Sequence, residues 1–381
     1  MLKVLYIIPS LKKGGAERLV LDICIALQKL QGIQVKLIVF SELNDYSFLT
    51  ESIDWEVIPS SVQLRVIGRN TYNIDKLQAA IEDFSPDIIH THLFETEIVS
   101  RICYYPHAKW FTHCHGNMSQ FKNLTIKTIF NKRQLTNYYE KRFLFQAYNK
   151  NGGTNFLAIS KHTQKYFEKT TKKYSIIFFP NAINYSKFCI TKSKQINSDT
   201  ILRLINIGSF QDKKNQLFLI EVANELRNRK VKFSLHLLGD GANFLKVKEN
   251  IIDNNLENDV FLCGNVDKVE SYLSNADIYV HSATYEPSGL VLLEAMAAGL
   301  PVVTLDGKGN RDLIVEGKNG YMVYEQNVKI FTDKIIEIWE NKELYKTISN
   351  YAQDFARQYD IKQYVDRLLV LYNDKIISTN S

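Results

Sequence analysis

Short apolar runs alternate with longer amphipathic segments along this chain, and they do so in two separate series. In the first half KVLYIIP, VKLIVF, IIHTH, WFTHCHG and FLAIS read as strands, with helices expected at Ala16–Leu30 and Asp75–Phe84. A second series runs through ILRLINIGS, FSLHLLG, VFLCG, ADIYVHS and PVVTL. Apolar runs of this length, separated by amphipathic helices, are what a parallel sheet covered on both faces requires. Two such series in 381 residues predict two doubly wound α/β domains facing each other across a cleft. The boundary is expected in 184–200, where NYSKFCITKSKQINSDT is polar and lacks a clear period. This divides the chain into a domain at 1–183, a linker at 184–200 and a domain at 201–355. Near the end Ile361, Tyr364, Val365, Leu368, Leu369 and Tyr372 fall on one helical face.

The stretch EPSGLVLLEAMAAGLPVV, from Glu286 to Val303, carries the most chemistry. A helix beginning near Gly289 would hold Glu294 about a turn and a half inside it, with Glu286 just ahead of its mouth. The amides of Ser288, Gly289 and Leu290 at that mouth are then unpaired, a ready seat for phosphate. Carboxylates on either side of a phosphate seat suit a sugar nucleotide, whose hydroxyls flank a diphosphate. A surface glutamate ahead of an ordinary amphipathic helix is the competing interpretation.

That stretch resembles the E-x7-E signature of retaining glycosyltransferases of family 4, which have the two-domain GT-B fold. Its neighbours strengthen the resemblance: SNADIYVHSAT upstream, then GLPVV and GKGNRDLIVEGKNGYMV downstream. The resemblance implies Rossmann-like domains, the first binding acceptor and the second nucleotide sugar, with a last helix (356–381) crossing back onto the first. It implies that Glu286 holds sugar hydroxyls, Glu294 the ribose and Gly15, of PSLKKGGAERL, the region near the donor diphosphate. IGSFQDKKNQ resembles the pattern G-R-x-x-x-x-K-N, so Lys214 is expected on the phosphates. The arginine position is Ser209 here, and a hydroxyl brings no charge. Lys213 or a helix terminus would have to supply it. Val266 occupies the position whose backbone pairs with the base, and PNAIN resembles the interdomain segment.

Histidines come in two i, i+2 pairs, His90/His92 and His113/His115. His115, in THCHGN, matches the family's cleft histidine and is expected at the donor sugar or the acceptor. Four imidazoles at strand ends could build a metal site with a carboxylate such as Glu95, but spacing does not show that the pairs meet. The resemblance implies no metal and no cofactor beyond the nucleotide sugar substrate, so His90 and His92 are expected to be structural.

Charge is unevenly spread. Residues 1–183 hold 23 Lys and Arg against 15 Asp and Glu, whereas the remainder holds 24 against 26. Within the basic half, 121–150 carries seven cations and one glutamate among Ile, Leu, Phe and Tyr. This is expected to be an amphipathic helix on an anionic membrane surface or facing an anionic acceptor, with a water-facing basic helix as the alternative. No nucleic-acid motif accompanies the charge. The longest apolar stretches fall far short of a membrane span, and MLKVLYIIPS reads as a buried strand without leader anatomy. Five scattered cysteines without C-x-x-C pairs favour a reducing cytoplasm, with the chain cytoplasmic or peripheral on the inner membrane face.

The expected function is transfer of a sugar, with UDP-sugars ahead of GDP-mannose as donor, to a hydroxyl of a glycan or lipid-linked glycan during cell-surface polysaccharide synthesis. A nucleotide-sugar 2-epimerase of the same architecture and a degenerate, binding-only subunit are the alternatives; Ser209 keeps the second open.

Overall fold

The computed structural model describes residues 1–125, 130–190 and 200–377, which form two compact α/β units. The first comprises Met1–Ala182 with Ile361–Ser381, and the second Ile183–Asp360. Each is built on one parallel sheet.

The first sheet contains β1 (Leu2–Ile8), β2 (Ile33–Val39), β3 (Trp55–Val57), β6 (Ile88–His92), β7 (Lys109–Cys114), β8 (Asn155–Ala158) and β9 (Ile176–Phe178). Its order is β3-β2-β1-β6-β7-β8-β9, and β4 (Ser61–Gln63) pairs with β5 (Thr71–Asn73) in a separate antiparallel hairpin. The second sheet contains β10 (Leu202–Ile207), β11 (Phe233–Leu238), β12 (Val260–Gly264), β13 (Ile278–His281), β14 (Val302–Leu305) and β15 (Gly320–Val323), ordered β12-β11-β10-β13-β14-β15. Both sheets reverse their winding once, between β1 and β6 and between β10 and β13. Ligands of open α/β sheets settle at the strand carboxyl ends of such a switch point.

The apolar runs become strands because both faces are covered. Val4, Leu5, Tyr6, Ile7 and Ile8 are all fully buried, alternating between two separate clusters. The last helix, Ile361–Ile377, lays Tyr364, Val365, Leu368 and Tyr372 into the first unit's core, the face its periodicity predicted. The expected linker at 184–200 needs correcting. Its first residues form a short helix, Tyr185–Phe188, whose two aromatics are buried in the second unit. The division falls after Ala182 and after Asp360 instead, and Ile183 donates to the Tyr359 carbonyl at 2.9 Å. Residues 191–199 of that segment lie outside the described residues. Among the described residues no helix is long and apolar enough to cross a membrane.

On one face of β6 and β7 the two histidine pairs do meet. Parallel pairing sets His92 beside His113 and His90 beside Phe111, so all four imidazoles share that face. Tyr372 of the last helix sits 2.6 Å from His90 Nδ1 and 2.8 Å from the Tyr6 hydroxyl. His90 Nε2 lies 3.2 Å from His113 Nδ1, and His113 Nε2 lies 3.1 Å from Asn181 Oδ1. His92 Nδ1 lies 2.8 Å from His115 Nε2. Nitrogens of His90, His92 and His113 come within 4.8 Å of one another. Yet the three rings stack at interplanar angles of 19–29°, and both nitrogens of His90 and His113 are engaged in hydrogen bonds. Near-parallel rings aim their lone pairs side by side rather than at one point, so the set is a hydrogen-bonded ladder joining β1, β6, β7 and the last helix. The opposite face is also polar: buried Arg101 pairs with Glu97 at 2.8 Å and donates to Thr112 and Thr154 at 3.0 and 2.6 Å.

Burial holds all four imidazoles neutral, with His113 lowered to about 4 and His90, His92 and His115 also depressed. The unfolded chain, with ordinary histidines, takes up protons first. Stability is therefore complete above about pH 6.5 and declines as the pH falls towards about 4, with His113 alone worth roughly 3 kcal/mol. Urea unfolding of the first unit should show a lower midpoint at pH 5 than at pH 7.5, and His113→Gln should flatten that slope. An unchanged slope in the variant would remove His113 from the effect.

Candidate functional site

Around the β10–β13 switch point the chain assembles a carboxylate, an ammonium and an imidazole. β10 runs into Gly208, Ser209 and a short 3-10 turn, Asp212–Lys214, before Asn215 takes a left-handed conformation (φ 51°) and starts the helix Gln216–Asn228. Two bonds tie this turn to the exit of β13. Ser282 Oγ donates to the Lys214 carbonyl at 2.8 Å, and Thr284 N–H to the Lys213 carbonyl at 2.9 Å. Lys214 is thereby set opposite Glu286, and its Nζ donates to Glu286 Oε2 at 2.5 Å.

Glu286 is buried, and its loop is pinned from behind. Its N–H donates to the Gly307 carbonyl at 2.7 Å, and its backbone bridges Lys308. Gly309 has to be glycine here: a Cβ would come 2.0 Å from the Pro287 carbonyl oxygen. His281, the last residue of β13, places Nε2 3.2 Å from Glu286 Oε2, near enough for attraction but outside hydrogen-bond geometry. Burial alone would raise the Glu286 pKa; the Lys214 charge and His281 outweigh it and bring it down to about 2. Burial lowers that of His281, leaving it neutral. The result is an ionised acceptor-only carboxylate, which has no proton to give.

Beyond Glu286 the chain turns through Gly289 (φ 88°) into the helix Leu290–Ala297. The helix starts one residue after the expected Gly289. The amides of Ser288, Gly289 and Leu290 have no acceptor among the described residues. Glu294 lies half-buried within the helix. Tyr279, buried on β13, reports on both carboxylates: burial pushes its phenol up first, and Glu286 and Glu294 each push it further.

Ser209 is exposed, and its carbonyl accepts from Gln216 Nε2 at 3.2 Å, so the position carries no charge. Lys213 is exposed and makes no ion pair among the described residues. Lys214, expected to be available to phosphate, is committed to Glu286. Val266 is half-buried just past β12 and packs at the edge of the second unit's core.

Sequence reasoning missed His281 and a second charged cluster. Buried Asp306, just past β14, receives Arg311 in a fork (Nε 2.8 Å, Nη2 2.5 Å) and Lys308 Nζ at 2.8 Å. Burial opposes its ionisation, but these cations hold it well below the usual carboxylate range. His281 had a usable signal, as the final residue of the switch-point strand; Asp306 had none beyond lying past PVVTL.

In the first unit Gly14 and Gly15 open the helix Gly15–Gln28, and the Tyr46 hydroxyl clasps Gly14 from both sides, accepting from its N–H at 3.1 Å and donating to its carbonyl at 3.0 Å. Gly15 itself is exposed. His115 lines a pocket of about 250 Å³ with Leu93, Phe94, Gly116, Asn117 and Met118. Leu93 has a positive φ (70°), a costly conformation for leucine of the kind that gathers at binding sites.

Within the basic segment 121–150, the described helix Lys132–Lys150 covers the core with one face and leaves basic residues on the other, as the water-facing alternative expected. In the helix Lys132–Lys150, Leu144, Ala147 and Tyr148 are spent in the core, and Lys141 is buried, donating to the Phe121 carbonyl and Asn123 at 3.0 and 2.9 Å. Lys132, Arg133 and Arg142 remain exposed, and 126–129 lie outside the described residues.

Two family models divide the chain between them: "Glycosyltransferase Family 4" matches residues 13–187 and "Glycosyl transferases group 1" matches 190–355. A poly(glycerol-phosphate) α-glucosyltransferase of Bacillus subtilis is 27% identical over 46% of this chain, which spans only 26% of that protein's length. The putative glycosyltransferase EpsF of the same organism is 24% identical over 97% of this chain and 96% of its own. The crystal structure of Anabaena HepE in complex with UDP superimposes with a TM-score of 0.76 at 20% identity, covering 98% of this chain and 100% of that one. The chain therefore belongs to the family 4 glycosyltransferases of GT-B fold.

Proposed function

We propose that the chain transfers a sugar from a nucleotide diphosphate sugar to a hydroxyl of a glycan or lipid-linked glycan, with retention at the anomeric carbon. The observation that carries this is the Lys214–Glu286 pair beside the unpaired amides of Ser288–Leu290. A diphosphate seated on those amides would draw Lys214 towards it. Glu286, released from its ammonium, would then need hydrogen-bond donors, and sugar hydroxyls are such donors. Lys214 and the amides would stabilise charge where it grows as the leaving diphosphate departs. Glu294 would hold the ribose, the backbone at Val266 the base, and Gly15 the region near the diphosphate. His115, neutral and facing a pocket, would contact the donor sugar or the acceptor.

An ionised Glu286 cannot act as general acid, and once sugar hydroxyls donate to it its lone pairs are engaged there rather than at the anomeric carbon. Same-face attack, with the departing phosphate taking the acceptor's proton, fits these residues better and asks for no metal. UDP is favoured in the donor because HepE was crystallised with it. A poly(glycerol-phosphate) acceptor in one relative accords with an anionic acceptor for the basic first unit.

Ser209 supports a second reading, a degenerate subunit that binds a nucleotide sugar without turning it over. Incubation with labelled UDP-sugars and a glycan acceptor separates the two: transfer or donor hydrolysis favours the enzyme, tight binding without turnover the subunit. Glu286→Gln, which keeps an acceptor for Lys214, should lower kcat/KM by about 10²–10³ with the fold retained by circular dichroism, and undiminished transfer would refute the site. Ser209→Arg should tighten UDP binding roughly ten-fold or more by adding a charge-assisted bond. Unaltered affinity on titration calorimetry would mean that no guanidinium is missing there.

A further inference from the structure

The first unit carries an exposed apolar and cationic surface that no part of the proposed reaction uses. The β4–β5 hairpin projects the loop Leu64–Asn70, in which Val66 is 53% and Ile67 91% exposed, between Arg65 and Arg69. The loop is shaped rather than slack. Arg65 N–H donates to Asn70 Oδ1 at 2.9 Å across it, and Gly68 supplies a φ of 106°. The hairpin is fastened to the basic helix Lys132–Lys150: Asn70 Nδ2 donates to the Tyr139 hydroxyl at 3.1 Å, and the rings of Tyr72 and Phe143 stack at 6.4 Å. Exposed Tyr138 follows on that helix with the Arg142 guanidinium 5.9 Å above its ring, and Phe130, 94% exposed, precedes the helix.

Charge on these elements has one sign. No aspartate or glutamate occurs in 57–74 or in 98–139, and the helix's single carboxylate, Glu140, is half-buried. Large exposed apolar side chains ringed by Arg and Lys, with no carboxylate among them, match a bilayer interface: the apolar tips enter the headgroup boundary while the cations meet anionic lipid. We propose that the β4–β5 hairpin, with the exposed face of Lys132–Lys150, seats the first unit on an anionic membrane surface. The inserting element is the hairpin rather than the helix, whose own apolar residues are committed to the core. This rests on the transferase reading only for its purpose, access to a lipid-linked acceptor.

Vesicle sedimentation without donor tests it. The chain should sediment with vesicles of equal parts phosphatidylglycerol and phosphatidylcholine, but not with phosphatidylcholine alone, and salt should release it. Val66→Ser with Ile67→Ser should lower partitioning at least about ten-fold. Arg65→Gln and Arg69→Gln should each lower it about five-fold. Lys248→Gln, in the second unit, should leave it unchanged. Ile67→Trp should show a blue-shifted emission on the mixed vesicles only. No binding by the natural chain, equal binding by the hairpin variants, or a dimer that these variants dissociate without any vesicle binding would each overturn the proposal. Transfer to a soluble acceptor should be the same in the hairpin variants, so a lost membrane surface and a lost transferase site are separately visible.

Discussion

One ion pair organises the second unit's chemistry. Lys214 and Glu286 come from opposite sides of the switch point, seventy-two residues apart, and meet because Ser282 and Thr284 bind the carbonyls of the Lys214 turn. A buried pair recovers in mutual attraction roughly what its desolvation costs, so its net contribution to stability is small, whereas losing one partner is severe. That balance suits a ligand site. An anion that replaces Glu286 at Lys214, while hydroxyls replace Lys214 at Glu286, exchanges one satisfied arrangement for another and strands neither charge. Ligand and protein would then be read together, because neither half of the exchange is favourable alone.

The substituted arginine position has to be judged against that pair. With Ser209 in the loop, Lys214 is the cation that the turn holds against Glu286, and it begins engaged. Nearby positive charge is otherwise committed: Lys308 and Arg311 both serve Asp306. Lys213 alone is exposed without an ion pair among the described residues. On the proposed reading, the three open amides at Ser288–Leu290 would carry a larger share of anion recognition than they would with a guanidinium across from them.

How much of this was legible in the sequence depended on whether the signal was local. Strands such as VLYII and PVVTL announced themselves because burial on both faces demands uninterrupted apolar side chains. Glu286, Ser288–Leu290 and Glu294 were legible because a helix start fixes which amides are open. The last helix showed its face by periodicity. Register was not legible. Nothing in IIHTH or WFTHCHG says that His92 will sit beside His113, and the ladder follows from that pairing alone. Tyr185 and Phe188 looked like linker because two aromatics in a polar stretch have no period. Lys141 looked like surface charge because sequence cannot tell a lysine that snorkels from one that caps the Phe121 carbonyl.

The ladder also bears on how the first unit's pocket is kept. His115 opens onto the pocket, yet its Nε2 is held by His92, so the ring's orientation is fixed from the core side. His92 in turn stacks on His90 and His113, at centroid distances of 4.7 Å. His90 ends on Tyr372, which belongs to the helix that enters this unit only after the second unit is complete. The returning helix therefore fixes the His90 ring, on which His92, the partner of His115, stacks. Without Ile361–Ile377, His90 and Tyr6 would lose the hydroxyl they share, a cost of about 0.5–1.5 kcal/mol for each lost hydrogen bond. That cost, added to the bared face of β1 and β7, makes the returning helix part of the site's support as well as part of its core.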